Sequence, residues 1–415
     1  MYIKEVLPNG LRLVSFEVPG SYSTSLSLFI GAGSRYERKG GVFHFLEHLC
    51  FKGTGRYRSS FELSRAIEGI GGILNGATDK EYTVFWAKVP YIHVDRALSV
   101  LSSLVMEPVL SPEDMERERG VIVEEIKLSL DSPSHRVDIL LDEILWGGHP
   151  LGRDVAGDEE SVKSITREDI LEHFSLFYRP QNSVLSIAGN FDGIRERAWE
   201  YFSSWEGGLG DFGDEGVPPL SGPAVKGERK DTELVHISLG FRALSSKDPE
   251  RFSIDLFNIF LGEGMCSRLF TELREKRGLV YEISSLVEHF RDTGSLIINL
   301  SVEPRNVEEA LKVLFYELGR IREGDVCDDE LERAKEYGKG RLLLRMEDTR
   351  AISSWGGGQE LLVGYIKEVP EVLDIVERIT WDDIKRVIDR VIRKENLCLA
   401  YVGPVSGLEK FVENF

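Results

Sequence analysis

Apolar and polar residues alternate through MYIKEVLPNGLRLVSFEVPG, and the alternation is interrupted at Pro8-Asn9-Gly10. A period of two on either side of a turn signal predicts a β-hairpin, whereas a secretory leader needs an uninterrupted apolar run. Residues 42–51 are mostly apolar and are followed by a Gly-rich turn at 69–72 and a strand pattern over 73–89. An amphipathic helix is predicted at 94–105, and another opens at Ser111-Pro112-Glu113. The second half shows a similar order. Apolar residues 254–262 precede a helix over 267–278, strand patterns run through 294–302, and helices follow at 307–318 and 328–345. Both late helix starts put a cap residue ahead of acidic first-turn residues, Ser111 before Pro112-Glu113 and Asp328 before Asp329-Glu330.

The break between the halves is EGGLGDFGDEGVPPLSG, residues 206–222, dense in Gly, Pro and acid and without an apolar period. It reads as a linker between domains at 1–205 and 223–415. A chain of 415 residues is too long for one ordinary core and suits two domains. The expected fold class is therefore α+β, two similar domains arising by duplication.

Charge narrows the partners. The formal net charge of -19 argues against a nucleic-acid binder, which needs a basic stripe, and disfavours attachment to an anionic membrane. No stretch is long and apolar enough to span a bilayer. Cys50, Cys266, Cys327 and Cys398 are far apart in sequence and form no CxxC pair. They read as unpaired thiols in a reducing compartment, and a cytoplasmic location is expected.

The chemistry concentrates in Gly41-Val42-Phe43-His44-Phe45-Leu46-Glu47-His48-Leu49-Cys50-Phe51. On a helix His44 and His48 fall about 40° apart with Glu47 beside them. Three titratable groups on an otherwise apolar helix each need a partner. A zinc ion bound by the two imidazoles, with the carboxylate acting as general base toward water, meets that need. The third protein ligand is sought in 111–130, whose apolar face is set by Val121, Ile122, Ile126 and Leu130. Glu118 and Glu125 differ by about 20° around the axis and border that face, while Glu124 points away. Glu125 is the candidate ligand and Glu118 a nearby supporting or substrate-facing carboxylate. Glu116 and Glu124 read as solvated charges.

These pieces resemble the pitrilysin-type (M16) metallopeptidases, a family that includes mitochondrial processing peptidase. The matching segments are GGVFHFLEHLCFKGT, LNGATDKEYTVF, ERERGVIVEEI and, in the second half, LGEGMCSRLFTELREKRGLVYEISS. The resemblance implies His44, His48 and Glu125 as zinc ligands, Glu47 as the base and Glu118 as an additional active-site glutamate. It implies that Asn75, with Gly76 in place of the usual Ala, lies on an edge strand that holds substrate backbone. Arg277 and Tyr281 are implied as a pair contributed toward the scissile peptide and its tetrahedral intermediate. Each domain is implied to be a mostly antiparallel β-sheet with packed helices, and two copies to form a clam-shell chamber as a homodimer. The expected activity is zinc-dependent endopeptidase cleavage of unfolded peptides or flexible segments.

Plainer readings exist for the outer residues. Asn75 beside Gly76 suits a turn, Arg277 before Gly278 suits a glycine-capped helix end, and Tyr281 suits a core or rim. The second half has no HxxEH, so it cannot build a second metal site and is expected to form a substrate wall. A non-catalytic scaffold or assembly subunit of the same fold is the alternative function, and a metal hydrolase of non-peptide substrates a third.

Overall fold

The computed structural model describes residues 2–208, 216–220 and 222–415. Residues 209–215 and 221 of the expected linker lie outside them. The chain forms two compact units, Met1–Lys127 with Arg153–Glu215 and Leu344–Glu368, and Leu128–Gly152 with Gly216–Leu343 and Val369–Phe415.

The first unit is built on a six-stranded sheet. Its strands are β1 (Ile3–Val6), β2 (Arg12–Glu17), β3 (Ser23–Ile30), β4 (Ile73–Thr78), β5 (Thr83–Pro90) and β6 (Ser183–Gly189), in the order β1-β2-β6-β3-β5-β4. The opening alternation is the antiparallel pair β1–β2, turned by Gly10 at φ +93°. The strand pattern at 73–89 is a hairpin rather than one strand. Asp79 N–H bonds the Tyr82 carbonyl, and the Asp79 carboxylate takes the Lys80 N–H, so the polar tetrapeptide turns the chain.

One face of this sheet buries a core shared with α1 (Val42–Cys50), α2 (Ser60–Glu68), α3 (Val94–Met106) and α4 (Pro112–Asp131). The buried side of α4 is Met115, Glu118, Ile122, Val123 and Ile126. Val121 and Leu130, expected on that face, are exposed, because the helix turns its Met115–Ile122–Ile126 stripe to the core instead. The other sheet face receives the helix Thr349–Leu362. Ser25 and Ser27 share hydrogen bonds with Thr349 and Ser353 there, and a Cβ at Gly357 would stand 2.5 Å from the Phe29 ring.

The second unit has β7 (Ala224–Arg229), β8 (Val235–Ala243), β9 (Val280–His289), β10 (Gly294–Val302) and β11 (Leu397–Gly403), ordered β7-β11-β8-β10-β9. Its larger core lies between this sheet and the helices Arg251–Gly262, Val307–Arg322 and Trp381–Val391. The opposite face is covered by α5 (Pro133–Trp146), whose Val137, Leu140, Leu141, Leu145 and Trp146 pack with Ile297, Cys398, Ala400 and Val402.

Duplication is visible in the topology. β2-β6-β3-β5-β4 and β7-β11-β8-β10-β9 have the same order. In each the first two strands pair parallel and the remaining neighbours antiparallel. The expected pair of similar, mostly antiparallel α+β domains is the fold observed. The units nevertheless do not follow the halves of the chain. Leu128–Gly152 belongs with the second and Leu344–Glu368 with the first. An apolar helix stripe specifies that a sheet face must be covered, not which sheet supplies it. Among the described residues no helix is long and apolar enough to cross a membrane.

Candidate metal centre

Helix α1 starts at a tightly constrained corner. Gly41 has φ +87°, and a Cβ there would lie 2.4 Å from the Ala156 carbonyl oxygen, so only glycine fits. The buried carboxylate of Glu37 accepts the Gly41 N–H at 2.6 Å and the Phe43 N–H at 3.1 Å. Burial raises the Glu37 pKa to about 8, against the opposing pull of those amides and of Arg153. With its start fixed, α1 buries Val42, Phe43, Phe45, Leu46, Leu49 and Cys50. Period 3.6 then carries His44, Glu47 and His48 together on the remaining side.

The two imidazole rings lie 4.7 Å apart between centroids. Glu125 of α4 brings Oε2 to 4.0 Å from His44 Nε2 and 3.8 Å from His48 Nε2. Among the described residues, His44, His48 and Glu125 form the one group of this kind with its donor atoms all within 4.8 Å. Zinc–ligand bonds of ordinary length place tetrahedral donors about 3.3 Å apart. The two imidazole–carboxylate spacings exceed that by about 0.5 and 0.7 Å, within reach of a small rotamer change in the half-exposed Glu125 side chain. Burial, and secondly repulsion from His48, lower the His44 pKa to about 4. His44 is therefore neutral near pH 7, the form that ligates metal. Its Nδ1 is buried and has no hydrogen-bond partner among the described residues. The donor set fits zinc: two neutral-capable imidazoles and a carboxylate on two rigid helices.

Behind His48 stands Glu118, nearly fully buried. Its Oε2 lies 3.2 Å from His48 Nδ1, and its Oε1 lies 2.7 Å from Lys52 Nζ. A carboxylate on the far ring nitrogen fixes the tautomer and turns Nε2 toward a metal. Lys52 balances the charge that this buried carboxylate carries.

Glu47 is buried, and burial is the largest influence on its pKa, which is raised. Thr78 Oγ1 on β4 donates to Glu47 Oε2 at 2.7 Å, which favours the ionised form. Glu47 thus sits in a dry setting, with a hydroxyl donor that opposes the effect of burial on its carboxyl group.

Asn75 and Gly76 lie on β4, an edge strand of the first sheet. Asn75 is in the strand and not in a turn. Its side-chain oxygen accepts the Gly76 N–H at 2.8 Å. A Cβ at Gly76 would stand 2.9 Å from Glu47 Oε1 and 2.9 Å from the Phe51 ring. This position therefore borders the Glu47 carboxylate, a closeness that the strand pattern alone did not suggest.

Arg277 and Tyr281 belong to the second unit. The expected helix at 267–278 contains a wider turn over Phe270–Glu275, closed by Lys276 N–H to the Thr271 carbonyl. It ends in a glycine cap. Gly278, at φ +60°, donates to the Arg274 carbonyl, and Leu279 donates to the Leu273 carbonyl. Arg277 bonds the Glu272 carbonyl at 2.8 Å and pairs with its carboxylate at 2.5 Å. Tyr281 is strongly exposed, 71%, near the start of the edge strand β9, so the core reading of this residue does not hold.

Three residues of the site escaped the sequence reading. Lys52 is four positions after His48, a spacing that places it near the same helix side. Thr78 is two positions after Gly76, so strand alternation puts both on one face. Glu37 carried no periodic signal, because it acts from a loop.

Residues 12–159 match the family model described as insulinase, peptidase family M16, and residues 164–337 match that described as the peptidase M16 inactive domain. All of His44, Glu47, His48, Glu118 and Glu125 fall in the first match. An uncharacterized zinc protease of Streptomyces coelicolor is 33% identical, with 97% of this chain and 90% of that protein covered. The uncharacterized zinc protease YmxG of Bacillus subtilis is 31% identical, with 96% and 98% covered. Among solved structures, a protease from Helicobacter pylori shares the fold at TM-score 0.89 and 21% identity, covering 97% of this chain and 99% of that one. A peptidase M16 inactive domain from Pseudomonas fluorescens does so at TM-score 0.91 and 18% identity, covering 98% and 99%.

Proposed function

From the premise that this chain belongs to peptidase family M16, we propose that it is a zinc-dependent endopeptidase cleaving unfolded peptides or flexible protein segments. The observation that carries this reading is the convergence of His44, His48 and Glu125 beside the buried carboxylate of Glu47. Zinc bound by the three donors would supply a Lewis acid that polarises the scissile carbonyl and acidifies water. Glu47 takes a proton from the attacking water and passes it to the leaving amine. Glu118 holds the His48 ring through Nδ1. Peptide lies extended along the outer edge of β4, which among the described residues has β5 as its one strand partner. Main-chain pairing of that kind accepts varied sequences. Asn75 sits on that strand, and Arg277 and Tyr281 are the proposed contributors of the second unit toward the oxygen that becomes negative.

The scaffold alternative gains no support from the site, because every donor and the base are present together. Two copies pairing around a chamber remain part of the reading through the family resemblance. The test is cleavage of a flexible fluorogenic peptide by protein stripped of metal and then reloaded with zinc. Turnover is expected only after reloading. Stoichiometric zinc without cleavage of several unrelated peptides would instead favour the scaffold.

A further inference from the structure

Strand β4 meets both oxygens of the base. Its side chains alternate, with Leu74, Gly76 and Thr78 on the less exposed face and Ile73, Asn75 and Ala77 on the other. Thr78 Oγ1 lies 2.7 Å from Glu47 Oε2 and 3.4 Å from Thr83 Oγ1. The Thr83 hydroxyl donates to the Ala32 carbonyl at 2.7 Å, so its one proton is committed elsewhere. Thr78 is left as a donor, and the shorter contact takes its proton to Glu47. The other oxygen, Oε1, faces Gly76, where the missing side chain leaves room that a Cβ at 2.9 Å would take.

We infer that Thr78 is a positioning residue that distinguishes the two oxygens of Glu47, anchoring Oε2 to β4 and leaving Oε1 to face water. The inference rests on the peptidase reading and deepens it. β4 is also the strand on which peptide is proposed to dock, so one strand sets both the substrate backbone and the base. A base turned by about an ångström loses on the order of 100-fold in rate without losing substrate binding. The hydroxyl is therefore expected to act on kcat and not on KM.

The experiment measures kcat, KM, zinc stoichiometry and melting temperature for Thr78→Val, Thr78→Ala, Thr78→Ser and Glu47→Gln beside the unmodified protein. Val and Ala remove the hydroxyl in two sizes, so a packing fault in one does not decide the result. Both are expected to lower kcat roughly 10- to 100-fold, with KM within about twofold and zinc retained, while Ser restores most of the rate. Unchanged kcat in Val and Ala beside an inactive Glu47→Gln overturns the role of Thr78 alone. Equal loss in Ser and Val also overturns it, since the hydroxyl would then not be what matters. Full activity of Glu47→Gln overturns the underlying reading, and this inference with it.

Discussion

His48 Nδ1 lies 3.2 Å from Oε2 of Glu118, a buried carboxylate on the neighbouring helix. The contact leaves His48 Nε2 directed to the side where Glu125 stands. Glu118→Ala is expected to weaken zinc binding by about 10- to 100-fold, because the ring loses the acceptor that orients it. Competition against a chromophoric chelator measures this without reference to turnover. Unchanged affinity would show that α1 alone holds the ring.

Glu37 makes stability depend on pH. Its folded pKa is raised from 4.5 to about 8 by burial. Between those values the folded state keeps a proton that the unfolded state has released. The contribution is therefore fully present below pH 4.5 and is lost as pH rises to about 8. Urea unfolding across that window is expected to show a falling stability that Glu37→Gln flattens. Parallel curves for the two proteins would remove Glu37 as the cause.

Arg277 and Tyr281 separate a capping role from a catalytic one. The glycine cap is made by the backbone of Gly278 and Leu279, and the Arg277 side chain is partly exposed. Arg277→Ala is thus expected to cost less than about 1 kcal/mol in unfolding free energy. If Arg277 and Tyr281 serve the reaction, Arg277→Ala and Tyr281→Phe lower kcat/KM at least about tenfold. Normal kinetics in both would return them to structural roles.

The proposed pairing of two copies is checked by sedimentation. Active protein is expected at twice the 46.9 kDa chain mass. Full peptide turnover by a species of single-chain mass would contradict a chamber formed by two chains.

Much of the centre was legible because helical period alone aligns His44, Glu47 and His48, and aligns Glu118 with Glu125. Period also exposed the duplicated α+β order. It did not reveal which residues of α4 face inward, since Val121 and Leu130 are as apolar as Ile122 and Ile126 yet lie outside. Nor did it show that 128–152 covers the second sheet, because that depends on a packing partner distant in sequence. Thr78 was hidden for a similar reason. Its contact with Glu47 joins positions 31 apart and depends on where β4 stands beside α1.

The most direct test is peptide cleavage by zinc-loaded unmodified protein and zinc-loaded Glu47→Gln, purified and assayed side by side. Cleavage by the first is expected, with equal zinc content and turnover at least about 100-fold lower in the second. Equal cleavage by both proteins would contradict Glu47 as the base.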